Sequence, residues 1–216
     1  MRKSLVYAAL FSSLLGSFNA QASSPQAGQQ YLEINPAVAL TQPDKIEVVE
    51  LFGYGCGACF KFEPLLNPWV AKLPADVTFK RLPAMFGGKW DAHGQLFLTL
   101  EAMRVEPRVH HAMFEAIHQD GKKLLDTDEM ASVLAPLGVD KDVFINTYNS
   151  FAVVGQVATA KRLTMAYQVN SVPTLIVEGK YRFDARSTGG WSNTLEVADQ
   201  LIEQQRNSKA ALASQP

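Results

Sequence analysis

The sequence predicts an α/β domain, a sheet with flanking helices, split by an inserted all-helical subdomain. Three observations carry that expectation. A β-rich run leads through a tight turn into a helical pattern and then into a second strand, between positions 45 and 82. Two further strands follow much later, around 174–177 and 181–183. Between these two groups, apolar residues recur with helical rather than strand period.

The chain opens with Met1, Arg2 and Lys3, runs apolar from Leu5 to Phe18 and reaches Ala20-Gln21-Ala22 before Ser23. A basic start, a short apolar run and a small-residue cleavage site form the pattern of a secretory signal peptide, here 1–22. The apolar run is too short to span a bilayer comfortably. The last residues, Ala213-Ser214-Gln215-Pro216, form no endoplasmic-reticulum retention signal, so the expected compartment is a bacterial periplasm. The remaining stretch of about 190 residues suits one domain, or one domain with a sizeable insertion. At 47% apolar residues it can bury an ordinary core, and a formal charge of −1 points to no nucleic acid or anionic surface as partner.

Lys45-Ile46-Glu47-Val48-Val49-Glu50-Leu51-Phe52 reads as the first strand, ending at Gly53. From Cys56 onwards, Cys59, Phe62, Leu65, Leu66, Trp69 and Val70 fall at helical spacing. The Gly53-Tyr54-Gly55 turn therefore delivers Cys56 to the start of a helix. Free backbone N–H groups and the positive end of the helix dipole favour an anion there, so a Cys56 thiolate is stabilised and its pKa falls below the free value of about 8.5. Cys59 lies one turn on, on the same face, at a separation of about 5 Å that a disulfide can close. Pro64 should kink this helix without ending it. Val77 to Leu82 reads as the next strand.

These are the only two cysteines of the chain. In an oxidising compartment they could form a structural disulfide. In the chain-entropy model, however, so short a loop yields roughly 2 kcal/mol against about 3 for fifteen residues, and a staple would join distant segments. A β-CxxC-α-β arrangement instead reads as a thioredoxin-like redox motif.

In the second group of strands, Asn170-Ser171-Val172-Pro173-Thr174 places a proline directly before the apolar run Leu175-Ile176-Val177, followed by a Gly-containing turn and Tyr181-Arg182-Phe183. Proline is tolerated at the first residue of a strand. Beside a CxxC helix, Val-Pro-Thr resembles the cis-proline loop that lies against the dithiol in thioredoxin folds. A cis Val172–Pro173 bond would leave nearby backbone free to pair with an extended substrate segment.

Together, Glu50-Leu51-Phe52-Gly53-Tyr54-Gly55-Cys56-Gly57-Ala58-Cys59, the Phe86-Gly87-Gly88 turn and Ser171-Val172-Pro173-Thr174, behind a signal peptide, resemble the DsbA family of periplasmic thiol:disulfide interchange proteins. The resemblance covers nearly the whole mature chain. It implies a thioredoxin-like fold with a mixed sheet, divided into a core at 23–88, a helical insertion at 89–167 and the rest of the core at 168–206, while the polar, alanine-rich composition from Gln204 onwards suggests a flexible tail, set at 207–216. Within the insertion, Leu96, Leu100 and Met103 mark one helix, and Asp126 followed by Glu129 reads as a capping box opening a helix that ends at Gly138. The run from Val143 to Tyr167 adds more, and a last core helix is expected from Asn193 to Gln205.

The implied activity is oxidation of unfolded exported proteins. A substrate thiolate attacks Cys56, expels Cys59 and forms a mixed disulfide that a second thiolate resolves. A DsbB-like membrane protein would be the reoxidant, the chain a monomer, and the Cys56–Cys59 disulfide the only redox group, without a cofactor. Val172, Pro173, Thr174, Gly57 and Ala58 are the expected substrate-binding residues. The well-studied members carry Pro-His between the cysteines, where this chain has Gly57-Ala58, so Cys56 should be less acidic and the pair less oxidising. Glu50, six residues before Cys56 and on the face of Ile46, Val48 and Phe52, matches a family position for a buried carboxyl group. Desolvation would raise its pKa and let it exchange a proton with Cys59. Lys80, on the next strand, is its expected ionic partner. The four histidines, His93, His110, His111 and His118, lack the spacing of paired metal ligands, so no metal is expected. Two other readings stay open: an isomerase or reductase of the same fold, and a peptide-binding or chaperone module with an inert disulfide.

Overall fold

The computed structural model describes residues 24–214. The segment read as a signal peptide lies outside the described residues. Five strands form one mixed sheet in the order β1 (Leu32–Glu33), β5 (Tyr181–Phe183), β4 (Thr174–Val177), β2 (Ile46–Phe52), β3 (Val77–Pro83). β2 runs parallel to β3 and antiparallel to β4, and β5 is antiparallel to both β4 and β1.

β2 is the centre of the sheet, and all seven of its residues are buried. A strand covered on both faces is mostly apolar on both, as Ile46, Val48, Val49, Leu51 and Phe52 are, and its two buried glutamates, Glu47 and Glu50, each face a cation of β3. One face carries Ile46 and Val48 into a cluster with Leu175, Val177, Phe183 and the helix α8 (Trp191–Ala213). The other carries Val49 and Leu51 against Ile34, Tyr167, Val169 and Ile176. At the end of the strand Phe52 enters a third cluster, shared with the helical region.

Between β3 and β4 run five helices: α2 (Lys89–Ala102), α3 (Glu106–His118), α4 (Thr127–Leu134), α5 (Lys141–Tyr148) and α6 (Phe151–Ala166). A short 3-10 turn over Ala135–Leu137 carries α4 to Gly138, which is left-handed with φ 74°. Asp126 caps α4 by accepting from the Glu129 backbone N–H at 2.8 Å. The reciprocal half of the expected capping box is absent, because Glu129 accepts from the Leu124 N–H at 2.7 Å instead.

Before this region, α1 (Gly57–Val70) continues through Pro64 and Pro68. Its inward stripe is Cys59, Phe62, Glu63 and Leu66, whereas Leu65 is exposed. After β5 one helical turn, α7 (Ala185–Thr188), leads into α8, the last helix, which differs from expectation. It continues to Ala213, past both the Gln205 end and the start of the expected tail at 207. Alanine favours the helix, and side chains tie it down. Arg206 pairs with Asp76 at 2.7 Å, and Lys209 Nζ donates to the Lys45 carbonyl at 2.6 Å while pairing with Glu178 at 2.9 Å.

Candidate active site

The turn that joins β2 to α1 is built by close approach. A Cβ on Gly53 would lie 2.6 Å from the Trp90 ring, and one on Gly55 would lie 2.9 Å from His93 Nδ1. Any larger residue would push α2 away. Between these glycines Tyr54 is fully enclosed, at 0% exposure. Its hydroxyl lies 3.1 Å from His110 Nδ1, and its carbonyl accepts from His118 Nε2 at 2.8 Å. Three histidines of α2 and α3 thus clasp the turn that precedes Cys56.

Cys56 is the N-cap of α1, with extended backbone (φ −92°, ψ 108°), and its Sγ accepts from the Cys59 N–H at 3.1 Å. The cap position is where an anionic sulfur meets unsatisfied amide donors. The Cys59 side chain is the largest contributor to lowering the Cys56 pKa, with the Cys59 and Ala58 amides adding to it against burial, and the thiol is brought to about 7. Cys59 behaves oppositely. It is 1% exposed against 8% for Cys56, and burial, followed by its partner sulfur and the Glu50 carboxylate, pushes its pKa well up. Both cysteines are free, so the pair is a dithiol here.

The Val172–Pro173 peptide is cis, and Cys56 Sγ lies 3.5 Å from the Val172 carbonyl oxygen. The expected loop and the dithiol are therefore neighbours. Val172 and Pro173 are half-buried, and Gly57 and Ala58 are exposed at the helix start. Phe60 stacks on His118 beside them, with ring centroids 5.1 Å apart. Thr174 is different from the other four substrate-binding candidates. It is buried, opposite Leu51 in the sheet, and its hydroxyl donates to the Ser171 carbonyl at 2.8 Å, so it braces the loop from inside.

Glu50 is 1% exposed. Burial drives its pKa up to about 8, with Arg81 opposing. The expected partner is wrong, because Lys80 pairs with Glu47 at 2.8 Å on the opposite face of the sheet. The parallel register sets Glu50 beside Arg81 and Val49 beside Lys80, and neighbours in register share a face. Arg81 Nε stands 3.3 Å from Glu50 Oε2.

Sequence reasoning overlooked Arg81, Glu63 and His110. Arg81 Nη2 lies 3.1 Å from Glu63 Oε1 and 2.6 Å from Asn67 Oδ1. His110 Nε2 approaches the other Glu63 oxygen at 3.6 Å, and His110 Nδ1 lies 2.8 Å from Glu106. Burial opposes ionisation of Glu63, yet His110 and Arg81 outweigh it and hold the carboxyl at about 2. The signal for Glu63 was present in the sequence: an acidic residue four positions after Cys59, on the inward stripe of a helix. His110 carried only its i,i+4 spacing to Glu106 on the same helix, since its contact with Glu63 comes from another element.

An acidic thiol at a helix start, a buried thiol one turn behind it and a raised carboxyl group beneath them form a thiol–disulfide exchange site. Comparisons agree. A family model of the DSBA-like thioredoxin domain matches residues 66–196, a span that begins beyond the dithiol. A Pseudomonas aeruginosa relative, "Thiol:disulfide interchange protein DsbA", is 56% identical over 206 residues, covering 95% of this chain and 98% of its own length. A Pseudomonas syringae pv. tomato protein of the same description is 54% identical over 212 residues, covering 98% and 99%. The crystal structure of Pseudomonas aeruginosa DsbA superposes with a TM-score of 0.84 at 58% identity, covering 86% of this chain and 97% of that one. This chain belongs to the DsbA family of thiol-disulfide oxidoreductases.

Proposed function

We propose that this oxidoreductase works in the periplasm, donating its Cys56–Cys59 disulfide to reduced cysteines of unfolded exported proteins. The asymmetry of the two sulfurs carries the reading: Cys56 is acidic and partly reachable, whereas Cys59 is enclosed and resists ionisation. A substrate thiolate attacks Cys56 Sγ, the S–S bond breaks, and its electron pair goes to Cys59. Glu50, protonated near neutral pH, supplies the proton that makes Cys59 a thiol. A second substrate thiolate then displaces Cys56, which departs as a stabilised anion. Substrate is oxidised by two electrons and the protein reduced by two. Stabilising the Cys56 anion both speeds its departure and favours the reduced protein at equilibrium, which is what makes it an oxidant.

The exposed Gly57 and Ala58 and the half-buried Val172 and Pro173 frame the approach to Cys56 and form the substrate rim. The segment 1–22 directs export, a DsbB-like membrane protein reoxidises the dithiol, and the protein acts as a monomer with no redox group beyond its own disulfide. The test is reaction of the oxidised protein with a reduced, unfolded substrate. Rapid stoichiometric oxidation is expected, abolished by Cys56→Ala, with Cys59→Ala trapping a mixed disulfide. A wild-type protein that transfers no disulfide while still binding the unfolded chain overturns the reading.

A further inference from the structure

The Arg81 guanidinium lies between two buried carboxyl groups and does not treat them alike. Its hydrogen bonds go to α1, with Nη2 bonded to Glu63 at 3.1 Å and to Asn67 at 2.6 Å. Asn67 in turn donates to Glu63 Oε2 at 2.8 Å, closing a ring of polar contacts around the guanidinium. Toward Glu50 it offers only an unaligned contact at 3.3 Å, and both atoms of that contact, Arg81 Nε and Glu50 Oε2, are buried without a hydrogen bond. A guanidinium fork is a rigid planar donor set, so satisfying it on one side leaves it misaligned on the other.

We propose that Glu63 is a positioning residue for the redox reaction: it holds the Arg81 guanidinium on the α1 side, with His110 as counterweight, so that Glu50 can carry the proton taken up by the departing Cys59 sulfur. The inference rests on the proton-donor reading of Glu50. The charged groups facing Glu50 are Arg81 from β3, Cys56, Cys59 and Glu63 from α1, and His110 from α3. Glu63 acts on Glu50 in two ways of the same sign: its negative charge disfavours a second carboxylate nearby, and its hydrogen bond draws the compensating cation away. His110 acts in the opposite sense. It shares Glu63 with Arg81 and adds its own positive charge, so removing it leaves Glu63 dependent on Arg81 alone.

The two substitutions therefore move Glu50 in opposite directions, which a merely structural role does not produce. The experiment follows the Glu50 carboxyl by carbon NMR of the oxidised protein across pH, with Glu50→Gln assigning the resonance. In parallel, reduced glutathione is used to reduce the same proteins, and the rate per glutathione thiolate is recorded against pH. In Glu63→Gln the Glu50 titration should fall by about one pH unit, and reduction at pH 8 should slow by roughly fivefold, the drop in its protonated fraction. In His110→Gln the titration should rise. Placed on Glu50→Gln, Glu63→Gln should change the rate by less than about twofold, since the two act through one step. A Glu50 titration that stays fixed in both variants, or shifts the same way in both, overturns the positioning role and leaves the reading of Glu50 standing. A Glu50→Gln protein reduced at the wild-type rate across the whole profile overturns the proton-donor reading, and this inference with it. Should Glu63→Gln fail to fold, His110→Gln alone decides: an upward shift supports the inference and a downward or absent one removes it.

Discussion

Ala58 brings only a methyl group between the cysteines, and everything that stabilises the Cys56 anion comes from Cys59 and from two amides. A titration of thiolate absorbance in the reduced protein should find the Cys56 midpoint near 7. Ala58→His should lower it by about one unit and raise the reduction potential by roughly 20–30 mV, measured against glutathione. An unchanged midpoint would show that the cap amides already saturate the effect. Glu50 gives a second prediction. Its folded pKa, about 8, lies above the ordinary carboxylate value of 4.5, so between those pH values the folded protein holds a proton that the unfolded chain has released. Stability is therefore lost as pH rises through that window, by up to about 4 kcal/mol, and Glu50→Gln should abolish the loss in urea titrations at pH 5 and 8.5. The cysteine pair and the Val172–Pro173 loop were legible residue by residue, because each is a short motif whose chemistry is local. The partner of Glu50 was not. A one-residue change of register exchanges Arg81 for Lys80, and no single strand reveals its neighbour's register.

At the scale of elements, the Asp126 cap and the Gly53–Gly55 turn were readable in the sequence, and two further caps share the chemistry of the first. Asp126, Asp140 and Ser150 each open a helix by accepting from the backbone three residues on. Asp126→Ala should cost about 1 kcal/mol in thermal or urea unfolding while leaving the rate of disulfide transfer unchanged, since the Asp126 side chain bonds only the Glu129 N–H of its own cap. The two-residue strand β1 escaped sequence reading because so short a run carries no period. The end of α8 escaped it for another reason. Composition from Arg206 onwards is polar and alanine-rich, which suits a frayed tail as well as a helix, and the choice is made by Arg206 and Lys209 reaching Asp76, Lys45 and Glu178 in distant segments.

Over the whole molecule, one cluster of buried side chains runs from Phe52, Cys56 and Cys59 through Phe97, Met113 and Phe114 to Phe144 and Val153 in the helical region. Phe114 stands at its crossing point, 6.0 Å from Phe52, 5.1 Å from Tyr54 and 5.8 Å from Phe60 between ring centroids. Phe114→Ala should cost about 3–5 kcal/mol. Hydrogen exchange should then quicken both in α3 and in the turn before Cys56; acceleration confined to α3 would mean the two regions are energetically separate. The presence of a helical insertion was legible from its length and period, but the sheet order was not, since pairing across more than a hundred residues leaves no trace in local pattern.

Tyr54 sits inside that shared cluster with its carbonyl held by His118 and its hydroxyl by His110. Grafting the strand, turn and CxxC segment onto a smaller scaffold of related fold would transplant the sulfurs without the vice that grips the loop in front of them. The amides that steady the sulfur would go with it, but the posture of the loop that presents it is set by a neighbouring subdomain and should not travel with the motif alone.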